Sequence, residues 1–105
     1  MKLKWNVFIF NINSKKIEVY NIFDHFGFYN CVKADLKKIK NKKEFENSLR
    51  SHLIYYFGFK AEWEVIIAPW VGGDRDKCAE KIDVYNQVIM NFDLFLDYVW
   101  SHKEK

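Results

Sequence analysis

Residues 5–12 read WNVFIFNI, with β-branched and aromatic side chains on both parities of the run. A strand of that kind has to be covered on at least part of both faces, so Lys4–Ile12 is expected as a central strand. Asn13-Ser14-Lys15-Lys16 is a polar turn, and Ile17–Phe23 reads as the next strand. On it Ile17, Val19 and Phe23 share one face, while Glu18, Tyr20 and Ile22 share the other. The short polar connection predicts an antiparallel hairpin.

Beyond the hairpin the spacing changes. Asp24–Gly27 breaks the strand, and Phe28, Val32, Leu36 and Ile39 repeat at helical intervals over Phe28–Ile39. The pattern lapses around Lys40–Lys43 and resumes with Phe45, Leu49, Leu53, Tyr56 and Phe57, and Gly58 is the expected stop. EWEVIIA (Glu62–Ala68) alternates like a strand and ends at Pro69; Val71–Asp76 is the expected loop. Lys81–Tyr85 reads as a short returning strand. Val88–Trp100 reads as the last helix, with Val88, Phe92, Phe95, Leu96 and Val99 inward. The order ββααββα predicts an α+β fold in which an antiparallel sheet carries helices mainly on one face. With 105 residues and no linker or repeat, the expectation is a single domain over 1–105.

Composition narrows the class further. Half of the residues are apolar, which excludes disorder, and no uncharged run reaches the roughly 18 residues of a membrane span. No charged-then-apolar leader opens the chain, and two cysteines cannot make a disulfide scaffold, so a cytoplasmic protein is expected. Aromatic residues make up 19%, more ring surface than a small core readily hides. Lysine outnumbers arginine 15 to 2. The net charge of +3 is uneven: residues 1–60 hold 12 basic and 5 acidic side chains, residues 61–105 hold 5 and 9.

No arrangement of catalytic groups stands out. Asp24-His25 is the one carboxylate–imidazole pair, but neighbours on an extended chain point apart. His52 sits near the apolar stripe of the second helix, as a partly buried histidine would. Cys31, Cys78, His25 and His52 lack the close pairs that preorganise zinc. Asp74, Asp76 and Glu80 resemble part of a calcium loop, yet the position of its turn glycine is Ala79. Gly72-Gly73 lacks the lysine of a phosphate loop, and Glu62 and Glu64 lack the companion lysine of a two-metal nuclease. No metal, no cofactor and no enzymatic activity are expected.

Two surfaces remain. Lys33, Lys37, Lys38, Lys40, Lys42 and Lys43 lie within eleven residues and could hold phosphates, although arginine, the preferred reader of phosphates and bases, is nearly absent. On the last helix Met90, Leu94 and Tyr98 form a second stripe at four-residue spacing, Tyr55 lies with Ile54 off the core face of the second helix, and Trp70 follows the exit into the loop. A helix apolar nearly all round is sandwiched or presented to a partner. Met90, Leu94, Tyr98, Tyr55 and Trp70 are the expected protein-binding or self-association surface, and the lysine cluster is the alternative site, for nucleic acid.

Tyr55-Tyr56-Phe57 followed by EWEVII, and KIDVYNQV (Lys81–Val88) running into Asp97-Tyr98-Val99-Trp100, resemble small proteins found on phages and mobile elements of low-GC bacteria. The resemblance covers the C-terminal half. It implies a location in a bacterial host's cytoplasm and a non-enzymatic role, the binding of a host protein, including inhibition of a defence system such as a CRISPR effector.

Overall fold

The computed structural model describes residues 3–11, 14–59 and 75–103. Its first element is the expected antiparallel hairpin: β1 (Asn6–Asn11) and β2 (Lys16–Asn21), paired Val7↔Tyr20, Phe8↔Val19, Ile9↔Glu18 and Phe10↔Ile17. The turn holds Lys15 at φ 58°, in the left-handed region, with its N–H donating to the Asn11 carbonyl at 2.8 Å. β2 is shorter than expected because Asn21 starts a 3-10 turn over Ile22–Asp24. Its side-chain oxygen accepts from the N–H of Phe23 at 3.2 Å and of Trp5 at 3.1 Å. One amide thereby starts the turn and fixes the chain entering β1.

The two faces of the hairpin differ. Val7 and Ile9 are buried, whereas Phe8, Phe10, Ile17 and Val19 are each at least 60% exposed. The expected cover on both faces of β1 is therefore corrected to one. Among the described residues, the parity of Val7 and Ile9 joins the core, and the parity of Phe8 and Phe10 stays exposed.

α1 (Phe26–Lys38) buries Phe28, Val32 and Leu36 at four-residue intervals. It ends where Ile39 turns extended, and the Lys103 ammonium donates to the carbonyls of Leu36 and Ile39. A cation on the last carbonyls complements the negative end of the helix dipole. α2 (Lys42–Leu53) begins at Asn41, whose side chain accepts from the N–H of Lys43 at 2.8 Å and of Glu44 at 3.2 Å. It buries Phe45, Leu49 and Leu53 and runs on as a π-helical turn, Ile54–Phe59, which buries Phe57. The helical run thus passes through Gly58 instead of stopping there.

The larger departure follows. Lys81–Tyr85 is not a strand but the middle of α3 (Arg75–Met90), and Arg75 and Asp76, expected in a loop, open that helix. Val84 and Val88 are both buried, and Tyr85 and Ile89 are half-buried. These i,i+4 pairs carry the segment into the core, and tertiary packing outweighs the strand preference of IDVY. The expected helix Val88–Trp100 is two helices. Asn91, at φ −124° and ψ 38°, separates α3 from α4 (Phe92–Ser101). The residues expected inward, Val88, Phe92, Phe95, Leu96 and Val99, are all buried.

The described residues form an α+β fold with a two-stranded antiparallel sheet and four α-helices, in the order ββαααα. The expected strand Glu62–Ala68 lies outside the described residues. Aromatic rings join the sheet to the helices: Phe23 stacks on Phe28 at 5.5 Å and on Phe95 at 5.8 Å, and Trp5 meets Phe95 edge-on at 5.3 Å. No helix among the described residues is long and apolar enough to cross a membrane.

Candidate interaction surface

Met90 is the last residue of α3, and Leu94 lies in the first turns of α4. They are 81% and 64% exposed. They stand four residues apart on either side of the bend at Asn91, and both line two shallow hollows. One, of about 540 Å³, is completed by Trp5, Asn6, Val7 and Gln87. The other, of about 340 Å³, is completed by Arg50, Ile89, Phe92 and Asp93. Met90 and Leu94 are thus an apolar ridge between two depressions. The Arg50 guanidinium lies 3.9 Å over the Phe92 ring and makes one wall both apolar and cationic. Gln87 reaches β1, donating from Nε2 to the Phe8 carbonyl at 3.0 Å, which fixes the opposite wall.

The other expected members of this surface separate. Tyr98 is half-buried, packs on Trp5 at 5.4 Å, and accepts a hydrogen bond from the Lys4 N–H at 2.8 Å. It belongs to the fold and not to the exposed stripe: it shares a face of α4 with Leu94, but Trp5 and the Lys4 backbone meet it and leave Leu94 open. Tyr55 is 54% exposed on the π-helical turn, lines neither hollow, and meets the Tyr56 ring edge-on at 5.0 Å. Trp70 lies outside the described residues.

The lysine cluster divides as well. Lys42 pairs with Asp97 at 2.7 Å and Lys43 with Glu46 at 2.9 Å. That lysine, and then Arg50, hold the Glu46 carboxyl below the usual carboxylate range. The Lys33 ammonium lies over the Tyr29 ring at 5.3 Å. Lys37, Lys38 and Lys40 are exposed and make no ion pair with the described residues. The free positive charge is centred on the α1–α2 connection.

Among the described residues no nucleophile–base arrangement forms around Asp24-His25. The Asp24 carboxylate accepts from the Asn21 amide at 3.5 Å, while the His25 ring packs on Tyr56 and Phe57 at 5.0 and 5.5 Å. His25 occupies the N-cap position of α1, but its side chain makes no capping bond. Cys31 is half-buried, its Sγ 3.7 Å from the Tyr56 hydroxyl. Hydrogen bonding to Cys31, then burial, pushes the Tyr56 hydroxyl above its usual range. Asp76 and Glu80 stand on α3 and not on a coordinating loop, and Asp74 lies outside the described residues. Among the described residues no three His, Cys, Asp or Glu side chains gather as metal ligands.

One cluster was missed from the sequence: Asp35 on α1 with Ser48 and His52 on α2. The Ser48 hydroxyl donates to Asp35 Oδ2, and His52 Nε2 lies 2.9 Å from that same oxygen and 3.3 Å from Ser48 Oγ. Ser, His and Asp are the residue types of a hydrolytic triad, but the connectivity is different. A histidine nitrogen facing a carboxylate carries the proton, so Nε2 cannot take one from Ser48. The serine donates straight to the aspartate. The cluster is a polar clasp between two helices. The i,i+4 spacing of Ser48 and His52 was the available signal, but their partner Asp35 stands among lysines in another helix.

Compared with protein-family models, curated proteins and solved structures, the chain matches none.

Proposed function

We propose that this protein is a non-enzymatic interaction module that binds another protein through the Met90–Leu94 ridge. The observation that carries this reading is the exposure of those two large apolar side chains, 81% and 64%, between two hollows walled by packed residues. Exposed apolar side chains flanked by depressions suit insertion of a partner's ring or aliphatic side chain into the hollow beside Trp5 and Val7. Arg50 and Asp93 would form the polar rim. The resemblance to phage-borne proteins extends the reading to occupation of a host protein's surface, and hence to inhibition of a target such as a CRISPR effector, in the bacterial cytoplasm.

The test is a tagged pull-down from a low-GC bacterial lysate after nuclease treatment, with the natural chain and with Met90→Asp/Leu94→Asp. The reading expects a stoichiometric protein that survives nuclease and is absent with the variant. A partner retained equally by both chains contradicts it.

A second reading, nucleic-acid binding, is favoured by the exposed Lys37, Lys38 and Lys40 at the α1–α2 connection. It expects salt-sensitive retardation of RNA or DNA that weakens when these three become Gln.

A further inference from the structure

The outer face of the β1–β2 hairpin carries no charge. Its three cross-strand rows are Asn6↔Asn21, Phe8↔Val19 and Phe10↔Ile17. The four apolar side chains are 60–66% exposed. A sheet face turned to water ordinarily alternates to polar residues, and edge hairpins are ordinarily guarded by charges. Here Lys16 and Glu18 stand on the opposite parity of β2, and Lys4 and Lys15 lie beyond the paired rows, so no charge falls within the patch. The patch presents roughly 500 Å² of apolar surface, at the upper end of what a monomer leaves open.

We propose that this face pairs with the same face of a second copy of the chain, giving a two-fold dimer with hairpin stacked on hairpin. The area supports a second copy in particular. Two such patches together remove about 1,000 Å², the lower bound for a specific interface. The patch is also self-complementary. Rotation about a two-fold axis parallel to the strands puts the β1 column of one copy over the β2 column of the other. Phe8 then lies over the partner's Val19, and Phe10 over the partner's Ile17. Each large ring faces a smaller β-branched side chain, and no charge is buried. This surface shares only Asn6 with the hollows beside the Met90–Leu94 ridge, and none of its four apolar side chains lines them, so either assignment can fail without the other.

The experiment is sedimentation equilibrium of the full chain between about 5 and 300 µM, a span suited to the weak affinity of so small an interface. The natural chain is expected to move from 12.8 kDa toward twice that mass as concentration rises. Phe10→Lys/Ile17→Lys is expected to weaken the association at least about 100-fold, with an unchanged circular dichroism spectrum, since both side chains are already exposed. Phe8→Thr/Val19→Thr, which keeps strand-forming residues, makes the same comparison should the lysine variant not fold. A natural chain that stays at 12.8 kDa throughout overturns the proposal. A dimer that persists in the variants overturns it too.

Discussion

Met90 closes one helix and Leu94 stands in the next, yet both line the same two hollows on either side of the turn at Asn91. Leu94 and Tyr98 share a face of α4, so by spacing alone the stripe would run on to Tyr98. Trp5 and the Lys4 N–H meet Tyr98 and leave a short ridge of two residues. The surface available to a partner is therefore more compact than the spacing in the sequence suggests, and the core residues Val7 and Phe92 each line one of its two hollows.

The clasp between α1 and α2 gives a stability prediction with a sign. Asp35 accepts from the Ser48 hydroxyl and faces His52 Nε2, so Asp35→Ala leaves two half-buried polar groups without their acceptor. The expected loss is about 1–3 kcal/mol in urea unfolding, against about 0.5–1.5 kcal/mol for Ser48→Ala, which removes only a donor. Equal losses would show that the shared oxygen is not the centre of the cluster.

Tyr56 rests on α1 where Gly27 leaves room: a Cβ at position 27 would sit 2.8 Å from the Tyr56 ring and hydroxyl. Gly27→Ala therefore has to displace that ring from Cys31 and His25. We expect a cost of about 1 kcal/mol despite the helix preference for alanine. In a Tyr56→Ala background the same change becomes neutral or stabilising. A double-mutant cycle by thermal unfolding measures the difference, and additivity would refute the contact.

The same tyrosine predicts an alkaline limit. Its hydroxyl titrates above the ordinary value of 10.0 in the folded chain, first through hydrogen bonding with Cys31 and then through burial. A raised folded-state value means that the folded chain holds the proton longer than the unfolded one. The contribution is complete below pH 10 and is lost as pH rises through the folded value. Urea midpoints between pH 8 and 11.5 should fall less steeply for Tyr56→Phe than for the natural chain. Parallel slopes would contradict the assignment.

What could be read in advance follows from the kind of signal. The hairpin, α1, α2 and the inward residues of α4 were legible because local spacing and burial agree there: Phe28, Val32, Leu36, Phe45, Leu49, Phe95 and Val99 all lie inside. Lys81–Tyr85 was not, since IDVY alternates like a strand over its own length. The i,i+4 pairs Val84/Val88 and Tyr85/Ile89 give the helix, and they declare themselves only over a longer window. The bend at Asn91 has no proline or glycine to mark it. The Asp35–Ser48–His52 clasp joins two helices, which no spacing along one of them reveals. The open face of the hairpin was visible as two apolar parities, but the number of layers that cover it is a property of the fold.

The most direct test of the account is the affinity of the partner recovered after nuclease treatment, measured by titration calorimetry for the natural chain and for Met90→Asp/Leu94→Asp. If the ridge carries the binding, the variant loses about 2–4 kcal/mol, a factor of roughly 30–1,000, and the natural affinity changes little with salt. An unchanged affinity in the variant would contradict the ridge. A steep fall with salt would move the binding to the lysines of the α1–α2 connection.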